Sequence, residues 1–356
     1  LRETKIMKAF LVALLPPSAK IPISVEDLNL IECLEDHLDK LPSLVRMSFK
    51  IGLHIFQWGA LLVRAKPFTR LNLIKQTRYI DSWEKINFYP LRLIMKLLIS
   101  VSYVNYYSQP EVFKHLEYPL PTINVARDKP DDSELIAFPE KDVFLKTEIC
   151  VVGSGAGGAV VAEHLAKQGH EVIILEEGDY FDVNDFNKTP QDIVKETYRE
   201  GGFEATLGLP MIVTPTGKAV GGTTLINSGT CFRLPEGVLE QWNQEYGLNI
   251  SYKELLPYIK EIEEVLQIKE ARQEVLGNIN YKVQEGAKAL GVDGGPLKRN
   301  APECSGAGRC CFGCPTEGIR SMNLNYIPEA LAHGAKLYAN CRVEKIIPKF
   351  DYGAEV

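Results

Sequence analysis

Residues 24–41 read SVEDLNLIECLEDHLDKL, and Leu28, Leu30, Ile31, Leu34 and Leu38 recur at the spacing that gathers side chains on one face of a helix. Ser24 stands where an N-cap belongs and Asp27 sits at the third helical position, so the pattern predicts a helix opening at Ser24. The same periodicity runs through 43–64 and 88–107, the latter with Pro90 at its start. No glycine turn interrupts residues 1–120, and aromatic side chains are dense there (Trp58, Trp83, Tyr89, Tyr103, Tyr106, Tyr107). This stretch is expected to be a small all-α domain. The pattern then stops: around 121–145 the chain is rich in proline and acid without periodicity, which predicts a linker or extended arm. From residue 146 the period changes. Glu148–Val152 predicts a strand, a glycine turn and a helix follow, and Glu171–Leu175 predicts a second strand. Further on, SYKELLPYIKEIEEVL predicts a capped amphipathic helix after Ser251, and CRVEKIIPKF a late strand. The fold class expected is α/β, a Rossmann-like domain over 146–356 preceded by the helical domain.

Composition changes little in that picture. The chain of 356 residues can bury a large core and is 45% hydrophobic and 24% charged, an ordinary globular balance. A net charge of −6 gives no sign of a nucleic-acid partner. The charge is uneven, however: residues 41–107 hold ten Lys/Arg against only Asp81 and Glu84. Basic amphipathic helices bind anionic lipid, so a peripheral membrane contact through 41–107 competes with plain solvation of a bundle's outer faces. The apolar runs 51–63 and 91–104 are too short and too polar to span a bilayer, which takes about 20 apolar residues. MKAFLVALLPPSA near the start is a poor secretion signal, and a cytoplasmic or membrane-surface location is expected. The chain opens on Leu1 and stops at Val356 without completing a domain pattern, as a piece of a longer protein would.

The chemistry begins at VVGSGAGGAVVAEHLAKQGHEVIILEEG (151–178). Gly153, Gly155 and Gly158 satisfy G-x-G-x-x-G between a strand and a helix, and Glu176 ends the next strand at the spacing of about 20 residues that a dinucleotide fold needs. Gly153 permits the tight turn, Gly155 leaves room for a pyrophosphate, and the helix N-terminus offers unpaired N–H groups with a partial positive charge. A carboxylate at Glu176 suits a ribose and would repel a 2′-phosphate. These residues do not separate NAD from FAD.

A second glycine cluster, GKAVGGTTLINSG (217–229), narrows the choice. The run from GSGAGG through LEEG to GGTTLINSGTCFR resembles the glucose–methanol–choline oxidoreductase family, and within it the long-chain alcohol oxidases and bacterial flavin dehydrogenases. The resemblance covers about residues 146–356 and implies FAD. It implies that Gly153, Gly155 and Gly158 face the pyrophosphate and Glu176 the adenosine ribose. Gly221, Gly222, Thr223 and Asn227 would line the flavin side, Val343 would meet the adenine through its backbone, and a cap region would occupy about 180–300.

CSGAGRCCFGCP (304–315) raises a separate question. Cys304, Cys310, Cys314 and Pro315 follow the ferredoxin run C-x2-C-x2-C-x3-C-P with Ala307 in place of one cysteine, which leaves three thiolates for an iron–sulfur cluster. Packed free thiols and a disulfide are the competing readings.

The function implied is FAD-dependent oxidation of CH–OH groups, with hydride passing from a long-chain alcohol, sterol or sugar to flavin N5 and electrons then to O2 or a redox carrier. In the resembled family the catalytic base is a histidine near the end of a longer chain. None of His37, His54, His115, His164, His170 and His333 lies in a matching motif, so no catalytic residue is assigned. The alternative is a non-catalytic nucleotide-binding or electron-transfer module that works with a partner subunit.

Overall fold

The computed structural model describes residues 2–116, 136–139, 144–206, 208, 212–349 and 353–356. Most of the linker expected at 121–145 lies outside them. The chain divides into two compact units, one of residues 1–120 with 188–215 and the other of 121–187 with 216–356. The excursion 188–215 thus groups with the helices, although it interrupts the α/β half in sequence.

The first unit is helical: α1 Arg2–Leu14, α2 Leu30–Lys40, α3 Ser43–Arg64, α4 Leu73–Glu84, α5 Tyr89–Tyr106, α6 Pro110–Leu116 and, from the excursion, α8 Pro190–Thr197. α3 and α5 match their sequence-predicted spans, with Pro90 in the first turn of α5, where a missing N–H costs nothing. The helix expected at Ser24 begins later. Ser24 and Asp27 do form a capping box, but over the single 3₁₀ turn Val25–Asp27, and α2 starts after Asn29. Leu28 is extended (φ −106°, ψ 145°), which breaks the run. The apolar segment near the start is the inward face of α1, with Ile6, Met7, Phe10 and Leu11 buried in the core. Phe56 of α3 centres that core. Its ring lies 5.2 Å from Phe10, 4.7 Å from Phe68, 4.9 Å from Tyr79 and 5.1 Å from Trp83, distances at which edge and tilted ring pairs attract.

One polar chain is buried among these helices. Asn105 Nδ2 donates to His37 Nδ1 (2.8 Å) and to the Val101 carbonyl (2.8 Å), while its Oδ1 accepts from Gln191 Nε2 (2.5 Å). That places the His37 proton on Nε2, which finds no acceptor among the described residues. Burial, reinforced by the nearby Lys195 cation, holds the His37 pKa down at about 4.

The second unit is built on a parallel sheet in the order β1-β6-β3-β2, from Ile136–Ala137, Lys336–Tyr338, Val172–Leu175 and Ile149–Val152. Val152 pairs with Leu175 and Leu175 with Tyr338, so the strands end in register at the carboxyl side. Helix α7 (Ala156–Lys167) connects β2 to β3, and α12 (Tyr326–Ala332) packs against α7. Ala159, Ala162 and Ala166 line the buried face of α7, and their small side chains let the helix lie close to Val151, Val172 and Ile174. β6 has no clear sequence signal, since it holds only three residues. The late strand expected at 341–350 is confined to β7 (Ile347–Lys349), which forms a hairpin with β8 (Gly353–Glu355) apart from the sheet. Helices α9 (Glu236–Tyr246), α10 (Tyr252–Val265) and α11 (Asn278–Leu290) and the pair β4 (Lys269–Glu270) and β5 (Lys298–Arg299) complete the unit. α10 opens with the capping box expected at Ser251. The unit is a Rossmann-like α/β fold.

Candidate functional site

The site lies where β2 and β3 end, the edge at which open parallel sheets bind nucleotides. Gly153 donates its N–H to the Leu175 carbonyl (2.8 Å) and then turns with φ +89°, a left-handed conformation that favours glycine. Gly155 caps α7, whose first N–H groups face outward from the turn. The three glycines do different things. A Cβ on Gly158 would fall 2.0 Å from the Gly153 carbonyl oxygen, so this glycine serves the contact of helix and turn rather than a ligand. A Cβ on Gly155 would meet nothing closer than Gly222 Cα at 3.9 Å, an ordinary contact. The space beside Gly155 is not needed by the protein itself.

Glu176 is buried at 5% exposure, and its carboxylate is held by three donors. Oε2 accepts from the Ser154 N–H (2.9 Å) and the Ser154 hydroxyl (2.6 Å), and Oε1 accepts from the Gly178 N–H (2.9 Å). A carboxylate offers about four acceptor positions, so one remains for a further donor. Ser154 Oγ also accepts the Gly221 N–H (3.0 Å). This fully buried hydroxyl therefore ties the first glycine turn, the acid and the second glycine turn into one knot. Sequence reasoning passed over Ser154 because serine at an x position of G-x-G-x-x-G is uninformative without the fold.

The second turn approaches the first backbone to backbone. A Cβ on Gly222 would stand 2.8 Å from Gly155 Cα, and Gly221 and Gly222 have φ of +94° and +56°. A 3₁₀ turn, Gly222–Leu225, follows. Thr223 Oγ1 accepts the Gly217 N–H (2.9 Å), and Thr224 Oγ1 donates to the Gly221 carbonyl (2.5 Å) and accepts from the Met322 N–H (3.0 Å). Asn227 Oδ1 accepts the Gly229 N–H (2.7 Å), so that oxygen is committed to its own turn. Cys341 donates its N–H to the Glu176 carbonyl (2.7 Å), and Val343 follows two residues on in an irregular stretch. Gly153, Gly155, Glu176, Gly221, Gly222 and Thr223 are thus brought together; Gly158 stands behind the turn.

A Rossmann-like NAD(P)-binding domain pattern matches residues 151–187, and the GMC oxidoreductase family pattern matches residues 194–353. Residues 194–353 are a GMC oxidoreductase domain. An uncharacterised GMC-type oxidoreductase of Mycobacterium tuberculosis is 31% identical over 96% of this chain and 54% of its own. A second, from Sinorhizobium fredii, is 34% identical over 58% of this chain and 41% of its own. A long-chain-alcohol oxidase of Arabidopsis thaliana is 28% identical over 60% and 29%. The chain spans about half or less of the length of these relatives. A dinucleotide site in this family implies FAD. The residues present fit one, with an open approach at Gly155, bare amides at the start of α7 and one free acceptor position on Glu176.

In this GMC domain the cysteine cluster forms a small cavity lined by Cys304, Cys310, Cys314, Arg309, Pro315 and Thr316. Arg299 of β5 donates from Nη2 to Cys310 Sγ (3.1 Å) and to the Ser228 carbonyl (2.7 Å), with Nη1 3.8 Å from Cys304 Sγ. Burial alone would lower the Arg299 pKa, but its hydrogen bond to Cys310 and the charges of Cys310 and Cys304 outweigh that and raise it. Backbone amides serve the other sulfurs: the Gly306 N–H points to Cys304 Sγ (3.4 Å) and the Gly318 N–H to Cys314 Sγ (3.2 Å). All eight cysteines are free thiols, against the disulfide reading. No group of three or more His, Cys, Asp or Glu among the described residues is arranged to hold a metal ion, so Cys304, Cys310 and Cys314 share a cavity without forming a preset ligand set.

Proposed function

We propose that this chain is the flavin-binding part of an FAD-dependent GMC enzyme that oxidises CH–OH groups, with an alcohol as substrate and O2 or a redox carrier as electron acceptor. The observation that carries the reading is the Ser154 knot, which draws both glycine turns and Glu176 to one end of the sheet. Bound FAD would supply the two-electron acceptor. The protein's part is positional. The N–H groups at the start of α7 would donate to the pyrophosphate oxygens, Glu176 would accept from one ribose hydroxyl at its remaining acceptor position, and Val343 would lie toward the adenine. Gly221, Gly222 and Thr223 would wall the flavin side, with Asn227 near the ring through the part of its amide that its turn leaves unused. The relatives named as alcohol oxidases support an alcohol substrate.

A three-cysteine iron–sulfur centre at Cys304, Cys310 and Cys314 is the second element of the proposal. It rests on the shared cavity and on the amides aimed at two of the sulfurs, a donor pattern that suits thiolates. Purified intact protein tests both elements. A flavin absorbance band that bleaches anaerobically on adding a long-chain alcohol, sterol or sugar supports the enzyme. A bound flavin that no alcohol reduces favours a non-catalytic electron-transfer module instead. Iron analysis with electron paramagnetic resonance decides the cluster, and protein free of iron removes it.

A further inference from the structure

Helix α3 is apolar on two opposite faces, and the first unit covers only one of them. Phe49, Leu53, Phe56 and Ala60 face the core. Leu44, Met47, Ile51, Ile55, Trp58 and Leu62 are all exposed, with Trp58 at 57% and Leu62 at 90%. They follow one another at intervals of three or four residues, so at about 100° per residue they occupy an arc of about 80° on the side away from the core. An outward stripe running the length of a 22-residue helix is larger than the scattered exposed hydrophobes of ordinary surfaces. Leu73 and Ile74, the first residues of α4, are exposed as well.

The charges carried by this stretch of chain have one sign, and the carboxylate against its flank is Glu3 of α1, 3.5 Å from His54 Nε2. Residues 41–80 contain seven Lys/Arg and no Asp or Glu. Arg46 is bonded to Asp39 (3.1 Å). Lys50, Arg64, Lys66, Arg70, Lys75 and Arg78 are exposed, and none of them pairs with a carboxylate among the described residues. No described helix is long and apolar enough to cross a membrane, and the inward face of α3 is fixed in the bundle core.

We infer that the outward face of α3 lies on an anionic lipid surface, with Leu44, Met47, Ile51, Ile55, Trp58 and Leu62 entering the headgroup–acyl boundary and the surrounding Lys and Arg facing lipid phosphates. Charge complementarity selects this occupant. A second copy of the chain would set one basic strip against another, whereas an anionic membrane neutralises it. The apolar stripe accounts for what charge does not, since a purely electrostatic patch has no use for exposed Trp58 and Leu62. The face would hold the protein where apolar solutes concentrate, a consequence independent of which of them it oxidises.

Flotation of the intact protein with vesicles tests this. Phosphatidylcholine vesicles containing a third of phosphatidylglycerol should carry at least ten-fold more protein than phosphatidylcholine alone, and Trp58 fluorescence should shift to the blue on binding. Leu62→Asp and the pair Lys66→Glu, Arg70→Glu each alter only exposed side chains and should each reduce flotation about ten-fold while circular dichroism stays unchanged. Equal binding to both vesicle types, or unimpaired flotation of Leu62→Asp, overturns the inference. It is also overturned if the intact protein proves to be a dimer that Leu62→Asp dissociates, or if the face is occupied by a tightly bound acidic protein and vesicles fail to compete for it.

Discussion

The two units of the chain are held together in opposite ways. In the helical unit, bulky side chains fill space: Phe10, Phe56, Phe68, Tyr79 and Trp83 meet ring to ring around a core that also takes Met7, Leu53 and Met95. In the α/β unit the decisive contacts are made where side chains are missing. Gly158 admits the Gly153 carbonyl, Gly178 admits the Ala219 backbone, and Gly222 admits Gly155 Cα. A side-chain core tolerates exchange of one apolar group for another of similar size; a backbone contact tolerates nothing larger than hydrogen. The first arrangement gives a stable body with a free outer surface. The second leaves main-chain amides bare at a sheet edge, which an anionic cofactor requires.

Substitutions in each unit test this contrast. The largest effect is expected at Gly158→Val, because its Cβ would overlap the Gly153 oxygen at 2.0 Å. The α/β unit should lose cooperative unfolding altogether, a cost above about 4 kcal/mol, read by calorimetry. Phe56→Ala should remove about 3–5 kcal/mol from the helical unit in urea titrations, while Phe56→Leu should cost less than half of that, since the core can close around an aliphatic group. A loss for Phe56→Leu as severe as for Gly158→Val would erase the distinction between the units.

Acid probes the helical unit differently. His37 is neutral when folded, with its pKa near 4 against an ordinary 6.5, so unfolding binds a proton between those values. Stability is therefore complete above about pH 6.5 and falls by up to about 3 kcal/mol as pH drops toward 4. His37→Gln should flatten that slope, which urea midpoints across the range would measure. Ser154→Ala is expected to be milder, about 1–3 kcal/mol, because the Gly221 N–H loses its acceptor and Glu176 one of its three donors. It should also weaken flavin retention, seen as a lower flavin-to-protein absorbance ratio.

Much of this was legible in the sequence where the physics is local. The 3.6 period located α3 and α5, and the pairing of glycine turn, helix and Glu176 located the nucleotide edge. What was missed depends on distant parts of the chain. β6 is a strand because Ile173–Leu175 lies beside it, and Lys336–Tyr338 carries no signal of its own. Ser24 makes a sound cap, yet Leu28 is extended and α2 waits for Leu30. Ser154 gains its role only once Gly221, 67 residues away, returns to it. The three cysteines were singled out by spacing alone, but the donors set against their sulfurs, Arg299 and the amides of Gly306 and Gly318, come from parts of the chain that spacing does not reveal.

The most direct test of the central claim is the flavin content of intact protein carrying Gly155→Ala. The protein itself has room for that methyl group, whose nearest neighbour would be Gly222 Cα at 3.9 Å, and the residue's φ of −66° suits alanine. A pyrophosphate lying on the turn has no such room. The account predicts a variant that unfolds at the wild-type temperature but is colourless, or takes up added FAD at least ten-fold more weakly. A variant as yellow as the wild type, or a wild type that neither carries FAD nor binds it when offered, would contradict it.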